Sequence, residues 1–220
     1  MNYNVINLLW QGLSGQKKWP QAWRSPELKS RYDAVIIGGG GHGLATAYYL
    51  AREHGMTNIA VLEKGWIGGG NTGRNTTNVR SDYMFPESAK MYNFALKLYE
   101  TLGKDLNYNI MLSQRGWLTL IHDQHQMEGA RHKANWLNCN GVDGQIIDKA
   151  RVEEMLPGLN VNDNPRFPVR GAFLQERGGT IRHDAVAWGY ARAADRLGVD
   201  IIQNCEVTGF DMADDQITAV

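Results

Sequence analysis

Residues 32–63 read YDAVIIGGGGHGLATAYYLAREHGMTNIAVLE, and this stretch decides the fold. Ala34–Ile37 is a short apolar run rich in β-branched side chains, which is typical of a strand buried on both faces. Four glycines follow, and apolar residues then recur at helical spacing until Gly55. A second strand is predicted at 58–62. This order of strand, glycine turn, helix and strand predicts an α/β fold of the Rossmann type.

The glycines fit the pattern G-x-G-x-x-G, and each has a physical task. Gly38 permits the tight turn out of the strand, Gly40 lets a pyrophosphate approach the backbone, and Gly43 lets the helix pack closely on the strand. The phosphates would meet backbone N–H groups and the positive end of the helix dipole. Glu63 ends the second strand, where a carboxylate can accept hydrogen bonds from a ribose 2′-hydroxyl. Together these features predict dinucleotide binding.

Composition bounds the class of protein. The 220 residues include 23 Lys plus Arg and 23 Asp plus Glu, and this zero net charge argues against binding to nucleic acid or to an anionic membrane. Cys139 and Cys205 suggest a reducing compartment rather than a disulfide framework. No apolar run approaches the roughly 20 residues that span a bilayer, and the first residues lack the layout of a signal peptide. We therefore expect a cytoplasmic protein.

A polar run follows Glu63: residues 65–83 read GWIGGGNTGRNTTNVRSDY. It is too rich in Gly, Asn and Thr for a regular element, and it is either a solvated loop or a functional one. It leaves the carboxyl end of a strand, where open α/β sheets bind ligands. The side chains suited to cradle a pyrophosphate are Asn71, Thr72, Arg74 and Asn75. Arg80 is a candidate clamp for a substrate carboxylate, because its planar fork suits two oxygens, or else it forms a surface ion pair.

The two ends of the chain are less regular. Residues 1–31 predict an irregular arm that covers the surface of this domain or of a partner subunit. Its tryptophans are Trp10, Trp19 and Trp23. Residues 205–210 predict a strand, 213–215 a turn and 216–220 the returning strand. Because that strand reaches the last residue, we expect a further C-terminal part.

The middle of the chain predicts a mixed α+β segment. Residues 86–102 have helical spacing, and 110–112 and 117–121 are predicted as strands of a hairpin. The apolar face of the helix consists of Met91, Ala95, Leu98 and Leu102. A polar helical stretch carries His122, His125 and His132, whose spacing matches no metal site. Asp148 is expected to cap another helix.

A second βαβ-like unit is predicted at 172–210. It comprises a strand at 172–175, a helix that Gly198 closes, and a buried strand at 199–202. We expect it to lie beside the first sheet, so about 84–170 would be inserted between the two units.

His183 stands just before the helix of this unit, with Asp184 at the predicted N-cap. A histidine at this place has either a capping or packing role or a chemical one. The helix dipole disfavours the imidazolium there and keeps the ring neutral. A neutral imidazole is the form that can act as a nucleophile.

Four stretches carry a resemblance to a known family: GGGGHGLATAYYLAREHG, VLEKGWIGGGNTGRNTTNVRS, LNYNIMLSQRG and ERGGTIRHDAVAWGYARAADRLGVDIIQNCEVTGF. They resemble the β subunits of heterotetrameric sarcosine oxidases, in the D-amino-acid-oxidase-like group of flavoproteins. The runs GGGNTGRNTTNVR and RHDAVAWG are the specific ones. The resemblance implies that 32–220 form a Rossmann-like FAD-binding domain with an inserted mixed α+β substrate-domain segment. Family members run on for roughly as much again, so the domain would be incomplete at its C-terminus.

The resemblance also implies roles for residues. Noncovalent FAD would be bound by Gly38, Gly40, Gly41, His42, Gly43, Glu63, Asn71, Thr72, Arg74, Asn75 and Thr76, with the backbone of Val207 on the adenine side. FMN would be attached covalently to His183 through the 8α carbon of the flavin. Arg80 matches an arginine that holds the amino-acid carboxylate in related amine oxidases, and Tyr83 falls beside it.

The implied activity is the oxidative demethylation of sarcosine. FAD would accept a hydride from the N-methyl group, and water or tetrahydrofolate would take the imine carbon. Products would be glycine, hydrogen peroxide, and formaldehyde or methylene-tetrahydrofolate, with electrons passing from FAD to FMN to oxygen. The implied partners are α, γ and δ subunits, with NAD on α and with FMN at a subunit boundary, apart from the FAD loop.

Three other interpretations stay open at this point. One is an FAD-dependent oxidase or dehydrogenase of another N-methyl or secondary amino acid, such as dimethylglycine or a proline-like substrate. Another is a truncated flavin-binding fragment without activity, important only for assembly. A third is an NAD-dependent Rossmann enzyme, which the long glycine-asparagine loop disfavours.

Overall fold

The computed structural model describes residues 5–15, 17 and 21–220. The helices are α1 (Val5–Leu13), α2 (Gly41–His54), α3 (Pro86–Asp105), α4 (Gln124–Cys139), α5 (Lys149–Met155) and α6 (His183–Arg196). The strands are β1 (Ala34–Ile37), β2 (Ile59–Glu63), β3 (Asn78–Val79), β4 (Trp117–Ile121), β5 (Gln145–Asp148), β6 (Gly171–Gln175), β7 (Gly179–Thr180), β8 (Asp200–Gln203), β9 (Asp211–Ala213) and β10 (Gln216–Ala219). Within the described ranges, no helix is long and apolar enough to span a membrane.

The chain divides into two compact units. The first comprises Met1–Ile67 and Tyr190–Val220, and the second comprises Gly68–Gly189. The segment of about 84–170 that the sequence marks as inserted falls inside the second unit, whose borders are wider. Its insertion between two βαβ-like units stays a prediction.

The first unit is built on a parallel sheet in which β2 lies between β1 and β8. The apolar residues of β2 are at most 5 % exposed, as expected of a central strand. Helix α2 buries Leu44, Ala47, Tyr48 and Ala51. It ends at Gly55, which has the left-handed conformation (φ 67°) that favours glycine. The strand, helix and strand predicted at the start of this unit are therefore confirmed.

The predicted strand at 199–202 is also confirmed, one residue later, as β8 beside β2. The expectation that 172–175 lies beside the same sheet is wrong. That segment is β6, the central strand of an antiparallel sheet with the order β4-β6-β5 in the second unit. Its Phe173 packs in one apolar cluster, and Ala172 and Leu174 pack in another. Because both faces of β6 are covered, its sequence reads as the unbroken apolar run expected of a buried parallel strand.

Three other expectations differ from the structure. Residues 110–112 form no strand, and β4 pairs with β6 instead. Residues 205–210 are irregular, while β9 and β10 form the terminal hairpin through Asp214 and Asp215. Helix α3 is confirmed and runs on to Asp105, but its buried residues are Ala89, Leu96 and Leu102, and Met91 is 58 % exposed.

The N-terminal arm is not wholly irregular, because α1 is a helix of nine residues. Its Trp10 is 61 % exposed and so does not cover the surface of this domain, which was one of the two alternatives, and Trp19 lies outside the described residues. The segment after it is tied to the first unit by charge. Arg24 Nε lies 2.8 Å from Asp195 Oδ1, and Lys29 Nζ lies 2.6 Å from Oδ2 of the buried Asp200.

In the second unit, an ion pair joins α3 to the turn after β6. Arg177 donates from Nε and Nη2 to the two oxygens of Glu100, at 2.9 and 2.8 Å. These hydrogen bonds lower the pKa of Glu100 from its ordinary value of 4.5. Because the folded-state pKa is depressed, the stabilisation is present above the unfolded-state pKa and is lost as the pH falls through the folded-state value.

We predict that Glu100→Gln lowers the free energy of unfolding at pH 7 by about 0.5–1 kcal/mol. The difference from the wild type should shrink as the pH falls below about 4. Urea denaturation across this pH range is the measurement. Glu153→Gln is the matched control, because Glu153 is exposed in the same unit. A difference for Glu100→Gln that does not change with pH would contradict the prediction.

Candidate cofactor and substrate site

The glycine turn of the first unit has the geometry that the sequence predicts. Gly38 has φ +107°, and its N–H donates to the Leu62 carbonyl at 2.8 Å. A Cβ added to Gly43 would lie 2.1 Å from the Gly38 oxygen, so only glycine fits there. Helix α2 begins after Gly40 with no side-chain cap and no acidic residue in its first turn. Its positive end is therefore not neutralised by its own sequence.

Glu63 holds this turn through its carboxylate. Oε2 accepts from Gly39 N–H at 2.7 Å, and Oε1 accepts from Gly65 N–H at 2.9 Å. Its carbonyl also accepts from Cys205 N–H at 2.9 Å. A carboxylate offers about four lone-pair sites, so both oxygens keep capacity for a ribose hydroxyl. The sequence predicts a ligand contact for Glu63 but not this role in fixing the backbone.

His42 and Val207 are the other predicted residues of the first unit. His42 is exposed in the first turn of α2, and its carbonyl accepts from Thr46 Oγ1 at 2.9 Å. Val207 follows Cys205 by two residues, in the irregular segment after β8. It borders an open cleft of about 780 Å³ whose wall includes Val35 and Leu62. The first unit thus contains the glycine turn, Glu63 and Val207, and Glu63 contacts the turn directly.

In the second unit, the polar loop after Glu63 contains a 3-10 turn, Asn71–Arg74. This loop contains the same kind of close glycine contact as the turn at Gly38 and Gly43. Gly68 has φ +74°, and a Cβ on Gly73 would lie 2.6 Å from the Gly68 oxygen. Asn75 stabilises the loop itself, because its Nδ2 donates to the Thr72 carbonyl at 2.6 Å and its Oδ1 accepts from Thr77 N–H at 2.7 Å. The predicted residues that are exposed are Asn71, Arg74, Asn75 and Thr76.

His183 lies beside this loop, although the sequence places it apart. Strand β3 pairs with β7, and Ile181 N–H donates to the Thr77 carbonyl at 2.9 Å. A Cβ on Gly68 would lie 3.5 Å from the Cβ of Ala187, which is one helical turn after His183. Both ends of the loop therefore contact the start of α6 or the strand before it.

His183 does not precede the helix with Asp184 as its N-cap, as the sequence predicts. His183 is the first residue of α6, so Asp184 lies inside the first turn and is not the predicted N-cap. The Asp184 carboxylate accepts from Arg182 and from Ala185 N–H, and the hydrogen bond from Arg182 lowers the pKa of Asp184. Among the described residues, the buried Nδ1 of His183 has no hydrogen-bond partner. Such an atom costs about 1–3 kcal/mol unless a ligand or modification changes its surroundings.

Arg80 is neither a surface ion pair nor a free clamp. Its Nη1 lies 2.6 Å from Oδ1 of Asp82, whose side chain is fully buried. The rings of Tyr83 and Trp117 lie 4.7 and 5.0 Å from the guanidinium carbon, within cation–π distance. Tyr83 in turn stacks on Tyr92, with ring centroids 4.1 Å apart.

The sequence analysis missed Asp82, Trp117 and Lys133 as parts of this site. Lys133 Nζ lies 2.5 Å from the second oxygen of Asp82. The position of Asp82, two residues after Arg80, is the one local signal that could have indicated a partner. No local signal points from Arg80 to α4. In the described part of the chain, no group of three or more His, Cys, Asp or Glu residues could hold a metal ion.

Comparisons with known proteins agree with this geometry. Residues 33–220 match the family model described as FAD dependent oxidoreductase. The chain is 55 % identical to the sarcosine oxidase subunit beta of Rhizobium meliloti (strain 1021), over 95 % of this chain and 50 % of that protein. It is 51 % identical to the subunit of the same name from an Arthrobacter species, over 90 % and 49 % of the two chains. It therefore spans about half the length of these relatives.

A solved structure shows the same fold. The crystal structure of L-proline dehydrogenase from P. horikoshii matches with a TM-score of 0.78 at 24 % identity, over 86 % of this chain and 48 % of that one. At this identity the match supports the fold alone.

We predict that Gly43→Ala lowers the free energy of unfolding by about 1–3 kcal/mol, because the added methyl group would overlap the Gly38 oxygen. Urea denaturation measures the change. Gly129→Ala is the matched control, since Gly129 lies inside α4 and its Cβ would meet nothing within 4 Å. That control should raise the free energy of unfolding by about 0.5–1 kcal/mol. Equal effects of the two substitutions would show that the turn is not tightly packed.

Proposed function

Because the chain belongs to the family of FAD-dependent oxidoreductases, we propose that it is the flavin-binding β subunit of a sarcosine oxidase. The observation that carries the proposal is the 55 % identity to a sarcosine oxidase subunit beta over 95 % of this chain. The proposed partners are α, γ and δ subunits, with tetrahydrofolate as a co-substrate in the complex. The proposed compartment is the cytoplasm.

The first unit is suited to hold FAD without a covalent bond. The Gly38–Gly43 contact brings the start of α2 close to the end of β1, where backbone N–H groups can meet a pyrophosphate. Glu63 keeps lone pairs for a ribose hydroxyl. The backbone of Val207 is proposed to contact the adenine. The proposed ligands at the glycine turn itself are Gly38, Gly40, Gly41, His42 and Gly43.

The polar loop of the second unit carries the remaining proposed ligands of FAD. The exposed side chains of Asn71, Arg74 and Thr76 are free to turn toward a phosphate, and Arg74 would supply positive charge. Asn75 would act through the loop backbone, because its side chain is already bonded within the loop. Thr72 completes the proposed set.

His183 is the proposed attachment point of FMN. Its buried Nδ1 has no protein partner among the described residues, and the neighbouring Asp184 is engaged by Arg182. The carboxylate beside the ring is therefore engaged elsewhere. An unpaired imidazole in this environment fits the role of a nucleophile toward an electron-poor carbon.

Arg80 is proposed to hold the carboxylate of sarcosine, and Tyr83 to border the substrate. The aromatic rings around Arg80 would exclude water and so favour the uncharged amine. When bound, FAD would supply the two-electron oxidation of the N-methyl group and FMN the passage of electrons to oxygen. Glycine, hydrogen peroxide and formaldehyde or methylene-tetrahydrofolate would be the products.

We predict that His183→Ala abolishes covalent flavin and leaves extractable FAD. The holoenzyme is precipitated in acid, and flavin fluorescence is measured in pellet and supernatant. The wild type should give flavin in both fractions, and His183→Ala only in the supernatant. His125→Ala, at an exposed histidine of α4, is the control and should behave as the wild type. Covalent flavin retained by His183→Ala would refute the assignment.

We predict that Arg80→Lys weakens the binding of sarcosine and of carboxylate inhibitors together. Lysine keeps the charge but loses the fork, and losing a buried bidentate contact costs about 2–5 kcal/mol. The KM for sarcosine and the Kd of methoxyacetate, in which oxygen replaces the amine, are the measurements. Arg151→Lys is the control, at an exposed arginine paired with Glu154. Unchanged inhibitor affinity would remove Arg80 from the site, and faster turnover of another secondary amine would overturn the choice of sarcosine.

A further inference from the structure

Asp82 is a buried carboxylate held by two cations. Its side chain is fully buried, with Arg80 Nη1 2.6 Å from Oδ1 and Lys133 Nζ 2.5 Å from Oδ2. A buried carboxylate is costly unless a cation pairs with it, and one cation balances its charge. We call Arg80, Asp82 and Lys133 the charge triad. Because it contains two cations and one carboxylate, its net charge is +1.

The surplus charge lies where a ligand can reach it. The side chain of Arg80 is 31 % exposed, whereas that of Lys133 is 23 % exposed and lies over the Phe173 ring at 4.6 Å. Asp82 accepts from Nη1 of Arg80. In the part of the chain that the structure describes, Nε and Nη2 have no hydrogen-bond partner. These two N–H groups form one edge of the guanidinium fork, which suits the two oxygens of a carboxylate.

The backbone beside Arg80 is fixed. The fully buried Gln175 accepts from Ser81 N–H at 2.9 Å, and its Nε2 donates to Ser81 Oγ at 2.7 Å. The rings of Tyr83 and Trp117 lie against the guanidinium group of Arg80 and limit its rotation. A binding group whose neighbours are locked in this way loses little freedom when the ligand arrives.

We propose that Asp82 and Lys133 are positioning residues for the carboxylate site of Arg80. Asp82 accepts from Nη1 of Arg80 and leaves Nε and Nη2 for the ligand. Lys133 keeps the net charge of the charge triad at +1. The ligand class is a small amino acid with one free carboxylate, whose charge brings the total to zero. An ester or amide of the same size lacks that charge and binds more weakly. The inference rests on the proposed role of Arg80 in carboxylate binding.

Lys133→Met tests this charge balance, because methionine has a similar length and no charge. The probe is methoxyacetate, with methoxyacetamide as the uncharged probe of similar shape, and calorimetry on the holoenzyme gives the Kd of each. We expect Lys133→Met to raise the Kd of methoxyacetate about tenfold. The Kd of methoxyacetamide should change by less than about twofold, because no ligand charge is involved.

Three further variants separate charge from packing. Lys149→Met makes the same substitution at a lysine whose partner Asp163 is 72 % exposed, and it should bind methoxyacetate as the wild type does. Lys133→Arg keeps the charge and should retain the affinity. The double variant Asp82→Asn with Lys133→Met returns the net charge to +1 and should regain most of the lost affinity. The last two variants decide the question even if Lys133→Met alone does not fold.

Two results would overturn the inference and leave the role of Arg80 intact. One is equal affinity for methoxyacetate in Lys133→Met and Lys149→Met. The other, which does not need Lys133→Met, is a double variant that binds methoxyacetate about tenfold more weakly than the wild type although its net charge is +1. Failure of the proposed function has a different signature. The wild type would not bind methoxyacetate, or Arg80→Lys would bind it as tightly, and the inference would then fail together with the function.

Discussion

The contact between the Glu63 carboxylate and two backbone N–H groups is the interaction on which the cofactor site of the first unit depends. It joins Gly39, in the turn after β1, to Gly65, in the chain that leaves β2. The carbonyl of the same residue accepts from Cys205, in the chain that leaves β8. One residue at the end of the central strand thus fixes three segments that converge there. Because the turn is ordered by the protein itself, a ligand that binds there pays little for ordering it.

The local parts of this fold follow from the sequence because neighbours in the chain cause them. Gly38 and Gly55 end elements by their backbone conformation, and the Asp148 side chain accepts from Arg151 N–H, as expected of a helix cap. Strand partners do not follow in this way. The run at 172–175 is apolar because helices and loops cover both faces of β6, and that pattern does not identify its neighbours.

In the second unit, the sequence suggests candidate residues but not their arrangement. A fork-shaped cation in a polar loop suggests a carboxylate ligand, and this identifies Arg80 from the sequence. Its buried partner Asp82 and the second cation, Lys133, meet only after α4 has packed. The place of His183 beside the polar loop also depends on tertiary structure, because the pairing of β3 with β7 brings together residues about a hundred positions apart. Contacts of this kind depend on tertiary structure and leave no periodic signal.

The ties between the N-terminal arm and the first unit have a consequence for synthesis. Arg24 meets Asp195 across 171 residues, and Tyr32 meets Asp200 across 168. At about 5–20 residues per second, a ribosome needs roughly 10–35 s to make the partners after it has made the arm. During that interval Arg24 and Tyr32 are outside the ribosome without their partners. A segment that is made early therefore reaches its place late, and slower translation lengthens the delay.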